Sequence, residues 1–293
     1  MDRKIFLRNS ALAALSLPIM SFADQHLPKE IKMKKLCTAC GTQFPESYQK
    51  ELCAICTEER QYVPATGQSW TTHENLLKAY KTQIIKINED LYEIIITPKF
   101  AIGQRAFLVL SKEGNILWDC IPLLDQNIID FINKKGGIKA IAISHPHYYS
   151  NMNDWAQQFD CPIYIHNRDK DYISDHGEHI QLWSDKSLQL WDNITIENIG
   201  GHFDGSSVLL VRNLSKEGTL LCGDTMYLSP SMKHFAIMYS YPNRMPLPKS
   251  EILRIKDRLN ELNFDAVYGF YSYQNLTTDV KKILNNSIKR YLE

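Results

Sequence analysis

The sequence lacks an excess of charge: 33 Lys and Arg stand against 33 Asp and Glu over 293 residues. Without a basic surplus there is no electrostatic case for a nucleic-acid partner. It also lacks any apolar run of the ~18 residues that a membrane-spanning helix needs. There is no obvious internal repeat and no low-complexity tract. The seven cysteines are an odd number, which argues against a full disulfide framework. What remains is ordinary. Hydrophobic content of 44% and charged content of 23% fit a soluble globular protein, and the length allows one large domain with appendages.

The N-terminus departs from that background. Arg3, Lys4 and Arg8 precede a mildly apolar run over 11–22 that ends in Ser21-Phe22-Ala23. This is the basic, apolar and small-x-small order of a signal peptide over residues 1–23. Asp2-Arg3-Lys4-Ile5-Phe6-Leu7-Arg8 resembles a twin-arginine motif with Lys in place of the second Arg. That route exports folded, often metal-loaded proteins, so the expectation is a bacterial periplasm with no membrane insertion after cleavage. A frayed amphipathic N-terminus or an uncleaved anchor is the alternative. Cleavage removes three basic residues and one acidic one, leaving a net charge of −2.

Residues 24–36 read as a polar linker. Then comes Cys37-Thr-Ala-Cys40 and, after twelve intervening residues that begin with Gly41, Cys53-Ala-Ile-Cys56. Two Cys-x-x-Cys knuckles at short separation are a strong structural zinc signature. Each knuckle turns two thiolates toward one point, and four thiolates close the tetrahedron without an open position. The expected module, 37–60, is too small to hold a core alone, so Zn2+ ligation would supply much of its folding energy. Two disulfides or a rubredoxin-like iron are the alternatives. Cys120, Cys161 and Cys222 stand singly in apolar runs and read as small core residues.

Residues 61–84 read as a strap onto the main domain, 85–293. Period-2 and apolar runs predict strands over 91–96, 106–110 and 116–121, with a turn at Lys112-Glu-Gly114-Asn. Helical spacing of Ile128, Ile129 and Ile132 predicts a helix over 124–133, stopped by Gly136-Gly137. Further strands are predicted over 138–143, 162–165, 188–191, 194–196, 207–211, 219–221 and 266–268. Helices are predicted over 152–159, 249–262 and 278–292. Strands in runs with interleaved helices, in two such halves, fit an α/β fold: a four-layered αββα sandwich.

Three segments each end a strand in a ligand-type side chain. The first is the apolar run over 138–143 emptying into His145-Pro-His147-Tyr-Tyr149-Ser150. The second is Gly200-Gly-His202-Phe-Asp-Gly205-Ser206, and the third is Leu221-Cys-Gly223-Asp224. Two histidines one residue apart at a strand end aim both imidazoles at one point, the way a metal is held at the carboxyl edge of a sheet. His176 and His179 lie in a polar stretch and read as surface loop. His26, His73, His166 and His234 carry no motif.

In this order and spacing, the motifs resemble those of the metallo-β-lactamase fold superfamily over residues 85–293. The resemblance implies that His145, His147 and His202 hold a first metal and that Asp224 is the third-motif carboxylate. Where the family has Asp-His, this chain has Tyr149-Ser150. Where the family has its final His, the chain reads Tyr268-Gly-Phe270-Tyr271. Phenols and hydroxyls are poor divalent-metal ligands at neutral pH, so one active-site metal is expected, Zn2+ or Fe2+, with Asp224 and Tyr149 as catalytic candidates. Tyr149 or Tyr148 would donate to a developing oxyanion, or simply close the vacant second pocket by packing. Tyr227, Met238, Tyr241, Asn243 and Arg244 are placed near the site by the same resemblance. The implied activity is a hydrolase of a small ester, thioester, amide or phosphoester, with a small-molecule substrate as partner. A mononuclear non-haem iron oxygenase acting on a sulfur compound is the alternative, or a non-catalytic metal-binding protein. A β-lactam substrate is not implied, because the fold hosts many chemistries.

Overall fold

The computed structural model describes residues 34–293. The expected leader over 1–23 and the expected linker up to residue 33 lie outside that range. The linker's last residues, Lys35 and Leu36, are already strand. β1 (Lys35–Cys37) pairs antiparallel with β2 (Gln43–Phe44) and β3 (Trp70–Thr71), in the order β2-β1-β3. The four knuckle cysteines sit in this small unit with Phe44 and Ile55. Gly41 follows the first knuckle at φ +85°, and a Cβ there would lie 2.8 Å from Pro122 Cγ. Glycine alone tolerates that conformation and that approach. After β3 comes α1 (His73–Ala79), capped by Thr72, whose hydroxyl accepts from the Asn75 N–H.

The first large sheet contains β4 (Lys81–Lys86), β5 (Leu91–Thr97), β6 (Ala106–Val109), β7 (Ile116–Trp118), β8 (Ala140–Ala142), β9 (Ile163–His166) and β10 (Ile180–Trp183), in the order β10-β9-β8-β7-β6-β5-β4. β4 to β7 form an antiparallel meander; β7 to β10 run parallel. Parallel neighbours need crossovers. α2 (Gln126–Lys134) connects β7 to β8, and α3 (Met152–Phe159) connects β8 to β9. Residues 81–84, expected as the end of a strap, therefore belong to the edge strand of the main sheet. The strap itself contains β3 and α1.

The second sheet starts with β11 (Ser187–Gln189), β12 (Ile194–Asn198), β13 (Ser207–Val211) and β14 (Thr219–Leu221). Two small hairpins follow, β15 (Tyr227–Leu228) with β16 (Phe235–Ala236), and β17 (Met238–Ser240) with β18 (Met245–Pro246). Then come α4 (Lys249–Asn260), β19 (Ala266–Tyr268), β20 (Asn275–Leu276) and α5 (Val280–Leu292). The sheet order is β11-β12-β13-β14-β19-β20, with β14 and β19 parallel.

Alternation along the strands sorts side chains into layers. Phe107, Val109, Ile116 and Trp118 face Ile194, Ile196, Leu209 and Leu221 across the sheet–sheet interface. Leu108, Leu117 and Ile141 turn the other way, onto Ile128, Ile132 and Trp155 of α2 and α3. Val208, Leu210 and Val267 meet Ile252, Ile255, Leu284 and Ile288 of α4 and α5. The result is the αββα sandwich. Each fully buried aliphatic or aromatic side chain contributes about 1.5–3 kcal/mol.

One polar network crosses this core. Arg105 is 1% exposed; it donates to Glu93 (2.6 Å), to the Gly269 carbonyl (2.9 Å) and to Asn275 (2.8 Å). It thereby ties the 269–275 segment after β19 to the first sheet. Removing one member of a buried pair leaves the other charge without compensation. Arg105→Ala is expected to lower stability by about 3–5 kcal/mol, read as a shift of the urea midpoint at unchanged slope.

Candidate metal centre

β8 is three residues long, and two residues beyond it the chain reaches His145, whose backbone is extended at φ −169°, ψ 170°. Pro146 then opens a single 3-10 turn over Pro146–Tyr148. Its preset φ suits the first position of a turn, and it puts His147 on the same side as His145. The rings of His145 and His147 lie 5.1 Å apart.

His202 sits in the loop between β12 and β13. Gly200 and Gly201 take φ of +73° and +95°; a Cβ on either would come within 2.7 Å of an α4 side chain. Ser206 closes the loop, its hydroxyl accepting from the Phe203 N–H at 2.8 Å. Asp169 holds it from outside by accepting from the Gly205 N–H at 2.7 Å. Asp224 comes from the turn after β14. There Gly223 has φ +49°, and a Cβ would lie 2.6 Å from Ser144 Oγ. Only glycine lets the Asp224 turn approach the His145 strand end this closely.

The four side chains converge. One ligand atom from each of His145, His147, His202 and Asp224 lies within 4.8 Å of every other. His202 Nε2 is 3.3 Å from His147 Nδ1 and 3.8 Å from Asp224 Oδ2, and His145 Nε2 is 3.5 Å from Asp224 Oδ2. Two of the imidazoles are steered from behind. His202 Nδ1 donates to the Tyr239 carbonyl at 2.7 Å, which leaves Nε2 with a free lone pair. His145 Nδ1 is 2.8 Å from Ser144 Oγ, and the Ser144 N–H donates to Asp119. His145 Nε2 is buried with no hydrogen-bond partner among the described residues.

Burial pushes His145 and His202 down to about 3 and His147 well below its usual range. Burial raises Asp224 to about 6, against the pull of His202. Three uncharged imidazoles with converging lone pairs and a carboxylate form a donor set that a divalent cation satisfies. The second group is Cys37, Cys40, Cys53 and Cys56, whose sulfurs also lie within 4.8 Å of one another, with contacts of 3.6 Å for Cys37–Cys56 and Cys40–Cys53. All four are buried free thiols, as are Cys120, Cys161 and Cys222. Hydrogen bonding to Cys40 drives Cys37 far below the usual thiol range, while the same contact raises Cys40. Four buried sulfurs this close to one another suit a thiophilic cation.

Tyr149 needs correction. Its hydroxyl donates to the Asp169 carbonyl at 3.0 Å, and its ring belongs to the core. It is therefore a packing residue that braces Asp169. Ser150 is also engaged, accepting from Gln104 (3.2 Å) and donating to the Cys120 carbonyl (3.3 Å). Tyr148 lies beside the histidines, 5.2 Å from the His145 ring and 5.6 Å from Phe270, while Phe203 packs 5.0–5.8 Å from all three imidazoles. Among the rim residues, Tyr241 lies 5.6 Å from the His202 ring and stacks on Tyr227. Asn243 instead bonds the carbonyls of Glu59 and Gln61. Arg244 is exposed and Met238 half-buried. His176 and His179 stand outside the cluster. His166 packs against Trp183 at 4.5 Å, and His73 accepts from the Leu124 N–H. Sequence reasoning missed Arg60 and Tyr239, which grip His202 from two sides; no local pattern marks a contact 142 residues long.

No protein-family model matches the chain. It is 39% identical over 262 residues to the "Uncharacterized protein YmaE" of Bacillus subtilis (strain 168), an alignment that covers 88% of this chain and 95% of that one. Its structure is similar to that of VMB-1, with TM-score 0.54 and 14% identity over 73% of this chain and 99% of the other. It is also similar to the DIM-1 metallo-β-lactamase, with TM-score 0.53 and 14% identity over 72% and 98%. At such identity the likeness concerns the fold.

Asp169 gives a pH signature. Burial raises it from the ordinary 3.8 to about 7, against the Gly205 N–H. The folded pKa lies above the unfolded one, so the native state binds the extra proton. Stability is full below about pH 4 and falls as the pH rises toward 7. Asp169→Asn, which retains an acceptor for Gly205, is expected to flatten the fall in melting temperature between pH 5 and pH 8. An unchanged slope contradicts the assignment.

Proposed function

The chain belongs to the same family as YmaE and has the metallo-β-lactamase fold, and from that premise we propose that it is a metal-dependent hydrolase with one Zn2+ between His145, His147, His202 and Asp224. The substrate class is a small ester, thioester, amide or phosphoester. The observation that carries this reading is the buried set of three neutral imidazoles and a carboxylate at strand ends. A divalent cation there would polarise a carbonyl or phosphoryl oxygen and acidify a water at its open position.

The chain's own groups do the rest. The imidazoles stay unprotonated and donate lone pairs across neutral pH. Asp224 is the charged member at the open edge, with 9% of its side chain exposed against 1% for His145 and His202, and it orients the attacking water. Of the two tyrosines offered for the oxyanion role, Tyr148 is the one assigned it. Burial, and after it the charges of Asp119 and Asp224, push its phenol well above 10, so it stays protonated. Its ring lies 5.2 Å from that of His145, and a protonated phenol there would donate to the oxyanion as it forms. The buried free thiols suit export of a folded, metal-loaded chain by the twin-arginine-like leader, which is part of the same proposal.

Metal analysis of protein purified without chelator, paired with a hydrolysis panel before and after chelation, tests this. Zinc-restored hydrolysis is expected. Iron at the histidines with O2 consumption in the presence of a persulfide contradicts it. Tyr148→Phe is expected to lower kcat by about 100-fold at unchanged metal content. Tyr149→Phe is expected to leave kcat within a few-fold and lower stability by about 1 kcal/mol. Equal losses of kcat in the two variants overturn the Tyr148 assignment.

A further inference from the structure

Arg60 lies four residues beyond Cys56, the last of the four clustered cysteines, yet its side chain reaches the histidine loop. Its Nε donates to the His202 carbonyl at 2.5 Å, and its guanidinium lies 4.5 Å from the Phe203 ring centroid and 3.9 Å from that of Tyr239. The Arg60 carbonyl accepts from Ser240 Oγ at 2.7 Å, and Glu58 pairs with the guanidinium. Tyr239 is also the residue whose carbonyl fixes His202 Nδ1, and its hydroxyl bonds Glu59. His202 is thus gripped twice, by its own carbonyl through Arg60 and by its ring through Tyr239, which is stacked on the same Arg60.

Arg60 is fixed in turn by the cysteine cluster. The Thr57 N–H donates to the Cys53 carbonyl at 3.0 Å, and so does the Thr57 hydroxyl, which winds 53–57 into a turn around two of the thiols. The Gln61 N–H donates to the Glu58 carbonyl, and the Arg60 N–H to the Glu58 carboxylate, which closes the next turn. The path from the thiols to His202 is contiguous: it runs over exposed Thr57 and half-buried Glu58, and its far end is buried. Arg60 is 8% exposed and His202 is 1% exposed.

On the premise that the histidines bind a metal, we propose that Arg60 is the positioning residue through which the four-cysteine module sets His202, so that metal affinity at the histidines depends on this module. A guanidinium suits the task because it stacks on two aromatic faces and donates from the same plane. Groups that orient a ligand from behind typically govern metal affinity by 10–100-fold.

The test uses the full chain loaded with cobalt(II). Thiolate-to-cobalt charge transfer reports the cysteine site, and ligand-field bands without charge transfer report the histidine site. Arg60→Met keeps the apolar stem and removes both the charge and the donor. It is expected to weaken cobalt binding at the histidines by about 10–100-fold while the charge-transfer band and melting temperature hold. Arg60→Lys, with charge but no plane, is expected to recover part of that loss. Unchanged histidine-site affinity in Arg60→Met overturns the proposal, as does loss of both sites in step, which marks a general folding defect. Wild-type protein that takes cobalt only at the thiols contradicts the metal reading of the histidines, and the proposal falls with it.

Discussion

Three uncharged imidazoles and a carboxylate are buried with their ligand atoms within 4.8 Å of one another. Without a cation this is an unfavourable contact. Buried lone pairs face each other, and a buried polar atom without a partner costs about 1–3 kcal/mol. The two large sheets end their strands at this point, and three unrelated loops lean on it. A divalent cation turns the repulsion into ligation, and by mass action it would stabilise the folded chain that presents the set. The cluster of four sulfurs has the same logic with softer donors.

The backbone serves that convergence. Gly223 brings the Asp224 turn within reach of Ser144, Gly200 and Gly201 fold the His202 loop against α4, and Pro146 starts the turn that aligns His147 with His145. Each sits where a Cβ would clash or where a preset φ is needed. Behind them, polar groups with no ligand role hold the ligands: Ser144 and Asp119 behind His145, Tyr239 and Arg60 behind His202, Asp169 behind Gly205. Arg105 secures the 269–275 segment that follows β19.

Much of this was legible in the sequence because it is local. The helix at Met152–Phe159 and the strands at Ser207–Val211, Thr219–Leu221 and Ala266–Tyr268 have the limits that periodicity predicts. Motif order picked out the residues that now stand together. β4 was not legible, because Lys81-Thr-Gln-Ile-Ile-Lys86 lacks the clean alternation that a strand with one solvated face usually shows. Tyr149 shows the limit of reasoning by position. Its place in the motif is that of a metal ligand, but the turn sends its hydroxyl to a backbone carbonyl. Arg60 was invisible because its partners lie 142 and 180 residues away.

We propose that the chain binds two cations, one among four thiols and one among three imidazoles and Asp224, and that Tyr149 and Ser150 leave no second active-site position. The most direct measurement is an anomalous difference map from crystals of the zinc-loaded protein, recorded on both sides of the zinc edge. Two peaks are predicted, one at Cys37, Cys40, Cys53 and Cys56 and one at His145, His147, His202 and Asp224. A further peak beside Asp224, or no peak among the histidines, would contradict it.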